Sequence, residues 1–199
     1  MGLLDYGSGN LHSAARAFAN AGADLVVTSD LSELRRQDAL VVPGVGAFAA
    51  CMAGLRAAGG VELISEWVEA GRPLFGICVG HQVLFDGGTE HGVDTPGLGL
   101  FRGRVVELNA HRLPHMGWNT VAPPEGSVLF DGLAGERFYF VHSYAAIAPP
   151  PDALVTLSRH EDATFVAAVE QGPVSSTQFH PEKSGAAGAR LIANWLGSW

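Results

Sequence analysis

One segment of the sequence has residue types and spacing suited to nucleophilic chemistry: Gly76-Ile77-Cys78-Val79-Gly80. A continuous apolar run, Pro73 to Ile77, leads into it, and a helical pattern from about Gly80 to Asp86 follows. Strand, sharp turn and helix together make a nucleophile elbow, in which flanking glycines permit a strained turn that lifts the thiol out of the sheet. The start of the following helix lowers a thiol pKa from its free value of about 8.5, and the thiolate is the reactive form. The competing reading is a buried cysteine used only for packing, a common fate of this residue type.

A thiol nucleophile needs a base, and His180 with Glu182 two residues on, across Pro181, could supply it. In an extended segment side chains at i and i+2 share a face, and proline between them favours extended backbone. Glu182 could then bond the imidazole, orient it and stabilise the imidazolium formed when Cys78 loses its proton. The competing reading is a surface turn with a chance His and Glu. Acyl chemistry also needs oxyanion donors, each worth about 10²–10³ in rate. The N–H of Val79, next after the nucleophile, is the expected first donor. The second is expected from Pro43-Gly44-Val45-Gly46, whose two glycines leave the Gly44–Val45 peptide free to rotate; a plain helix-leading turn fits the same residues.

Other motifs carry less. Gly7-Ser8-Gly9-Asn10-Leu11-His12 starts like a dinucleotide fingerprint, with Asp30 placed like a ribose-binding acid, but His12 stands where the third glycine must be. A tight strand-to-helix turn is the better reading. No phosphate-binding P-loop sequence occurs. His111 and His115 lack acidic or cysteine neighbours, and Pro114 disfavours a regular helix through them, so no metal and no cofactor are expected. Cys51, in an Ala-rich helical stretch, reads as packing.

The elements that must position these residues follow from the apolar pattern. Strands are predicted at Gly2–Asp5, Asp24–Thr28, Ala39–Val42 and Pro73–Ile77, alternating with a helix at Leu11–Ala21 and a helix-rich stretch ending at Val68. Such alternation implies a parallel sheet covered on both faces. Strand-like runs then succeed one another at Val105–Leu108, Trp118–Val121, Phe138–Val141, Leu154–Leu157, Phe165–Val169 and Val174–Phe179, before a closing helix at Gly185–Leu196. The expectation is one domain over 1–199, a three-layer α/β core, mostly parallel, with antiparallel additions in the second half.

Composition sets the outer bounds. The 199 residues carry a formal charge of −8, which disfavours nucleic acid or an anionic membrane as the main partner. Two cysteines are too few for a disulfide framework. No basic leader precedes an apolar run at the N-terminus, and no run approaches the roughly 18 apolar residues of a membrane span, so a cytoplasmic protein is expected. Eleven of the twelve basic residues are Arg; the only lysine is Lys183.

Gly76-Ile77-Cys78-Val79-Gly80-His81-Gln82 and Phe179-His180-Pro181-Glu182 resemble the two signatures of class I, triad-type glutamine amidotransferases. Asp5 to Leu11, Pro43 to Phe48, Pro114-His115-Met116-Gly117-Trp118-Asn119 and His180 to Ser184 resemble, within that class, the glutaminase subunits of imidazole glycerol phosphate synthase. The resemblance implies a flavodoxin-like fold and hydrolysis of L-glutamine through a Cys78 glutamyl thioester. Ammonia would then pass to a barrel-shaped cyclase subunit in a heterodimer. It also implies that Gly46, Gln82 and Glu90 bind glutamine with help from backbone around Ser143, and that Asn10, Met116, Trp118, Tyr139 and Lys183 lie at the subunit contact. The sequence departs from many members at His81, where they have Met, and at Gly185, where they often have Gln. Rival readings are an amidotransferase subunit of anthranilate or pyridoxal phosphate synthesis, a thiol peptidase with a similar elbow, and a non-catalytic scaffold. Lys183, Gln82 and the intact Cys78, His180 and Glu182 argue against them in turn.

Overall fold

A computed structural model describes residues 1–199. The first half runs β1 (Gly2–Leu4), α1 (Leu11–Asn20), β2 (Val26–Thr28), α2 (Leu31–Arg35), β3 (Leu40–Gly44), α3 (Phe48–Ala57), α4 (Gly60–Glu69) and β4 (Leu74–Cys78). One helical turn, α5 (Val79–Gln82), leads to β5 (Phe85–Glu90), β6 (Val93–Pro96), β7 (Phe101–Glu107), β8 (His115–Thr120), β9 (Arg137–His142) and β10 (Tyr144–Ala146). The chain ends with β11 (Leu154–His160), β12 (Ala163–Gln171), β13 (Val174–Thr177) and α6 (Gly185–Leu196).

Seven strands form the main sheet in the order β11-β12-β13-β4-β3-β1-β2. The five from β13 to β2 are parallel, and β12 and β11 add on antiparallel. This is the expected mostly parallel α/β sheet. Crossovers between parallel strands are right-handed, so the reversal of direction after β2 puts α1 on one face and α2, α3 and α4 on the other. On the α1 face, Phe18, Phe75 and Trp195 meet with ring centroids between 5.1 and 6.0 Å apart, locking α1 and α6 onto β4. The reversal also opens a crevice beyond the carboxyl ends of β1 and β3, next to the end of β4, and open α/β sheets hold their ligands at such a point. A four-stranded sheet, β10-β7-β5-β6, and an antiparallel ribbon, β8–β9, complete the second half.

Several elements depart from expectation for identifiable reasons. The helix expected over Gly80–Asp86 is a single turn, because Leu98 and Leu100 donate to the carbonyls of Val83 and Leu84 and draw the chain into β5. That strand is hidden in the sequence by Gly87 and Gly88, which it needs: a Cβ at Gly87 would lie 2.7 Å from the Thr95 carbonyl oxygen. β3 does not stop at Pro43 but runs on to Gly44. β1 has already ended there, and the Pro43 carbonyl accepts instead from the Tyr6 hydroxyl at 2.6 Å, so the missing N–H costs no ladder bond. Asp30 is not a ribose acid but the N-cap of the unanticipated α2, accepting from the Ser32 N–H at 2.8 Å. The Gly7–Gly9 turn is the tight entry to α1, which Asn10 caps. No single helix is long and apolar enough to cross a membrane.

Candidate active site

β4 ends at Cys78, whose φ of 56° and ψ of −112° are strained for any residue with a side chain. The glycines around it serve close approach rather than the turn itself. A Cβ at Gly76 would lie 2.8 Å from the Gly80 carbonyl oxygen, and one at Gly80 only 1.9 Å from that of Val42. Neither glycine has positive φ, so the strain sits on Cys78 while they let α5 settle onto β3 and β4. Gly80→Ala must push backbone apart, and we expect it to cost about 3 kcal/mol in urea unfolding.

His180 does not begin an extended segment, as the sequence suggested. Pro181–Lys183 is a 3₁₀ turn, closed by the Lys183 N–H on the His180 carbonyl at 3.1 Å and the Ser184 N–H on that of Pro181 at 3.0 Å. Proline fits the first position of such a turn, since its φ is already suitable and it has no N–H to strand. Glu182 curls back so that Oε1 lies 2.7 Å from His180 Nδ1, with both side chains buried. This leaves Nε2 for Cys78. Burial pushes the imidazole down, but hydrogen bonding and charge from Cys78 and Glu182 outweigh it and raise His180 to about 9. At neutral pH the site thus favours an imidazolium between sulfur and carboxylate.

Cys78 and His180 open onto a cleft of about 400 Å³ whose walls include Val45, Gly46, Val79, Gln82, Glu90, Ser143 and Lys183, with Glu182 behind the imidazole. Glu90 is anchored there by the Phe48 N–H, which donates to Oε2 at 2.6 Å from the start of α3. Gln82 is less free than expected. Its amide nitrogen donates to the Tyr144 carbonyl at 2.8 Å and to Gln178 Oε1 at 2.9 Å, so only its own carbonyl oxygen is left for a ligand. Gln178 was missed in the sequence: it is fully buried, with Nε2 3.9 Å from Cys78 Sγ. It ends the polar run Ser175-Ser176-Thr177-Gln178, so nothing local set it apart.

Of the two expected oxyanion donors, Val79 leads α5 beside the thiol, where helix-start N–H groups have no intrahelical partner. The other points elsewhere. The Val45 N–H donates to Ser8 Oγ at 3.2 Å, and the Val45 carbonyl accepts from the Ser8 hydroxyl at 2.8 Å and the Cys51 thiol at 3.3 Å. Cys51 is therefore buried packing that also bonds this loop.

The residues expected at a subunit contact are spread along one rim. Met116 and Trp118 stand out from β8, 61% and 47% exposed, with Tyr139 edge-on to Trp118 at 6.1 Å. Lys183 is exposed at the cleft, and Asn10 heads α1, which packs on the 3₁₀ turn. The ribbon is fastened to His180 itself, because the His180 N–H donates to the Tyr139 carbonyl at 2.9 Å. His111 and His115 do not converge: the His111 N–H meets Glu161, whereas His115 is buried against His142.

The glutamine amidotransferase class-I family model matches residues 2–198, so this sheet and cleft are those of a class I glutamine amidotransferase. Imidazole glycerol phosphate synthase subunit HisH of Cutibacterium acnes is 59% identical over 196 residues, covering 98% of this chain and 95% of that protein. The HisH of Mycobacterium tuberculosis strain H37Rv is 56% identical over 197 residues, with 98% and 95% covered. The chain belongs to the HisH family of glutamine amidotransferases. Among solved structures, a glutamine amidotransferase superposes with a TM-score of 0.78 at 23% identity, over 98% of this chain and 96% of that one. PurLQS of Thermotoga maritima reaches 0.73 at 18% identity with the same coverage, and at such identities the likeness is one of fold.

Proposed function

We propose that this chain is the glutaminase subunit of an imidazole glycerol phosphate synthase, hydrolysing L-glutamine and passing ammonia to a cyclase subunit that makes imidazole glycerol phosphate and AICAR for histidine biosynthesis. The observation that carries this reading is a carboxylate-held imidazole facing a strained, buried thiol. The Cys78 thiolate attacks the side-chain carbonyl carbon of glutamine, and the C–O electron pair moves onto oxygen. As that oxyanion collapses, the C–N bond breaks and His180 delivers its Nε2 proton to the departing ammonia. Neutral His180 then takes a proton from water, hydroxide adds to the thioester, and the C–S bond breaks to release glutamate and restore the thiolate–imidazolium pair. Glu182 holds the imidazole throughout. Glu90 is suited to the α-amino group of glutamine, with Gly46 and the backbone at Ser143 completing the pocket.

The charge of −8 and the absence of a phosphate-binding loop support leaving the phosphorylated substrate to the partner. Asn10, Met116, Trp118, Tyr139 and Lys183 form the face we assign to that partner. The Val45 N–H, held by Ser8, supports a resting state whose oxyanion hole has one donor, completed when the Gly44–Val45 peptide rotates on partner binding. Glutamate release should therefore be slow for the chain alone, and faster by about 10² or more with the cyclase subunit and its ligand, one oxyanion donor being worth that much. Cys78→Ala should abolish glutamine-dependent cyclisation while the complex still works with free ammonia. Equal glutamate release with and without partner would sink the resting-state reading; loss of ammonia-dependent turnover in the variant would place Cys78 outside glutamine hydrolysis alone.

A further inference from the structure

Two buried histidines outside the catalytic row, His115 on β8 and His142 on β9, are joined in a chain of hydrogen bonds whose direction can be read from its fixed ends. At one end the Tyr144 carbonyl, which can only accept, lies 3.0 Å from His142 Nδ1. The His142 proton therefore sits on Nδ1, and in the neutral ring Nε2 is a lone pair. That lone pair lies 3.0 Å from His115 Nδ1, which must be the donor. His115 Nε2 is then an acceptor, and Asn119 Nδ2 stands 3.2 Å away. Asn119 is oriented independently, since its amide nitrogen also donates to the Arg159 carbonyl at 2.8 Å and its oxygen accepts the Thr120 N–H at 2.8 Å.

Every donor in this row points toward the cleft. The Tyr144 carbonyl that ends it is the one Gln82 also binds, and Gln82 leads through Gln178 to the sulfur of Cys78. We propose that His115 and His142 are positioning residues: as neutral, Nδ1-protonated rings they pin the Tyr144 carbonyl, and with it the Ser143 backbone, in the geometry that binds glutamine. This rests on the glutaminase reading of Cys78. Both rings are kept neutral chiefly by burial, with His160, stacked on His115 at 4.3 Å, discouraging a second charge. The row starts on the strand that carries Met116 and Trp118, so a shift of this ribbon reaches the glutamine pocket without passing through His180.

The test uses the complex with the cyclase subunit. His142→Phe keeps the ring's bulk but loses both bonds, and we expect its KM for glutamine to rise by about tenfold or more with a smaller change in kcat. His142→Asn places an amide N–H near the position of Nδ1 and should recover most of that loss, whereas His142→Gln, reaching His115 rather than Tyr144, should not. Nitrogen NMR of the unmutated protein near neutral pH should find both rings neutral with the proton on Nδ1. A folded His142→Phe variant with unchanged KM would overturn the proposal, as would an Nε2-protonated ring at His142. Should the unmutated complex release no glutamate at all, the glutaminase reading fails, and the NMR result still decides the hydrogen-bonded row.

Discussion

Glu182→Gln is expected to slow glutamine hydrolysis by about 10⁴-fold while leaving the protein folded, the magnitude that follows when the orienting carboxylate of a triad becomes an amide. The reason lies in which ring nitrogen carries the proton. With Glu182 Oε1 2.7 Å from Nδ1, that nitrogen is held as a donor and Nε2 is left to exchange protons with Cys78. An amide of the same shape can turn its NH₂ toward Nδ1, which then becomes the acceptor and sends the ring proton to Nε2. In that tautomer the neutral ring cannot take the thiol proton. The carboxylate charge is lost as well, and with it part of what raises His180 to about 9. The alkaline limb of the rate profile, where the imidazolium loses the proton needed by leaving ammonia, should move to lower pH. Steady-state glutamate release across pH, with the cyclase subunit present, measures both effects. A variant within tenfold of the unmutated rate and with an unmoved profile would mean that Glu182 does not orient the base.

That pair illustrates what the sequence made legible and what it hid. His180 and Glu182 could be joined on paper because they are two residues apart, yet the conformation assumed was extended and the one found is a 3₁₀ turn. Both bring the side chains together, so the chemistry was readable before the backbone was. The elbow was readable for a similar reason: buried strand, thiol and glycines are consecutive, although the glycines relieve contacts with Val42 and with each other rather than supply the strain. The closing helix agrees at both ends, Gly185–Leu196, because small and apolar residues there recur at helical spacing over three turns. β5, β6 and β10 were not legible: glycine and polar residues give the first two no alternation, and β10 is only the three residues Tyr144-Ala145-Ala146. Least legible were Gln178, His142 and the tie between Val45 and Ser8. Each depends on atoms far apart in the chain meeting across the fold, and no local pattern encodes such a meeting.

Buried histidines should also make this protein unusually sensitive to acid. His81, His115 and His142 are at most 7% exposed, and burial pushes their imidazoles to about 3, 4 and 3, with neighbouring histidines adding to the shift at the last two. His81 is the barest case: Nδ1 meets Ser176 Oγ at 2.7 Å, and Nε2 has no partner. In the unfolded chain these rings take up protons below about 6.5, while in the folded chain they stay neutral until the pH approaches their own depressed values. Their contribution to stability is therefore complete above about 6.5 and falls as the pH drops from there. Each ring contributes a slope of about 1.4 kcal/mol per pH unit, so the three together approach about 4. Against a total stability of about 5–15 kcal/mol, that slope consumes most or all of the stability within about one to four units below 6.5. His180 has the opposite sign: its raised pKa gives stability that is full below about 6.5 and is lost as pH rises through about 9. Urea unfolding at successive pH values should thus show a maximum near neutrality with a steep acid side. His81→Met, which removes one buried ring and its unpartnered nitrogen, should flatten the acid slope by about a third. An acid slope unchanged by that substitution would show that protonation of His81 is not what unfolds the protein.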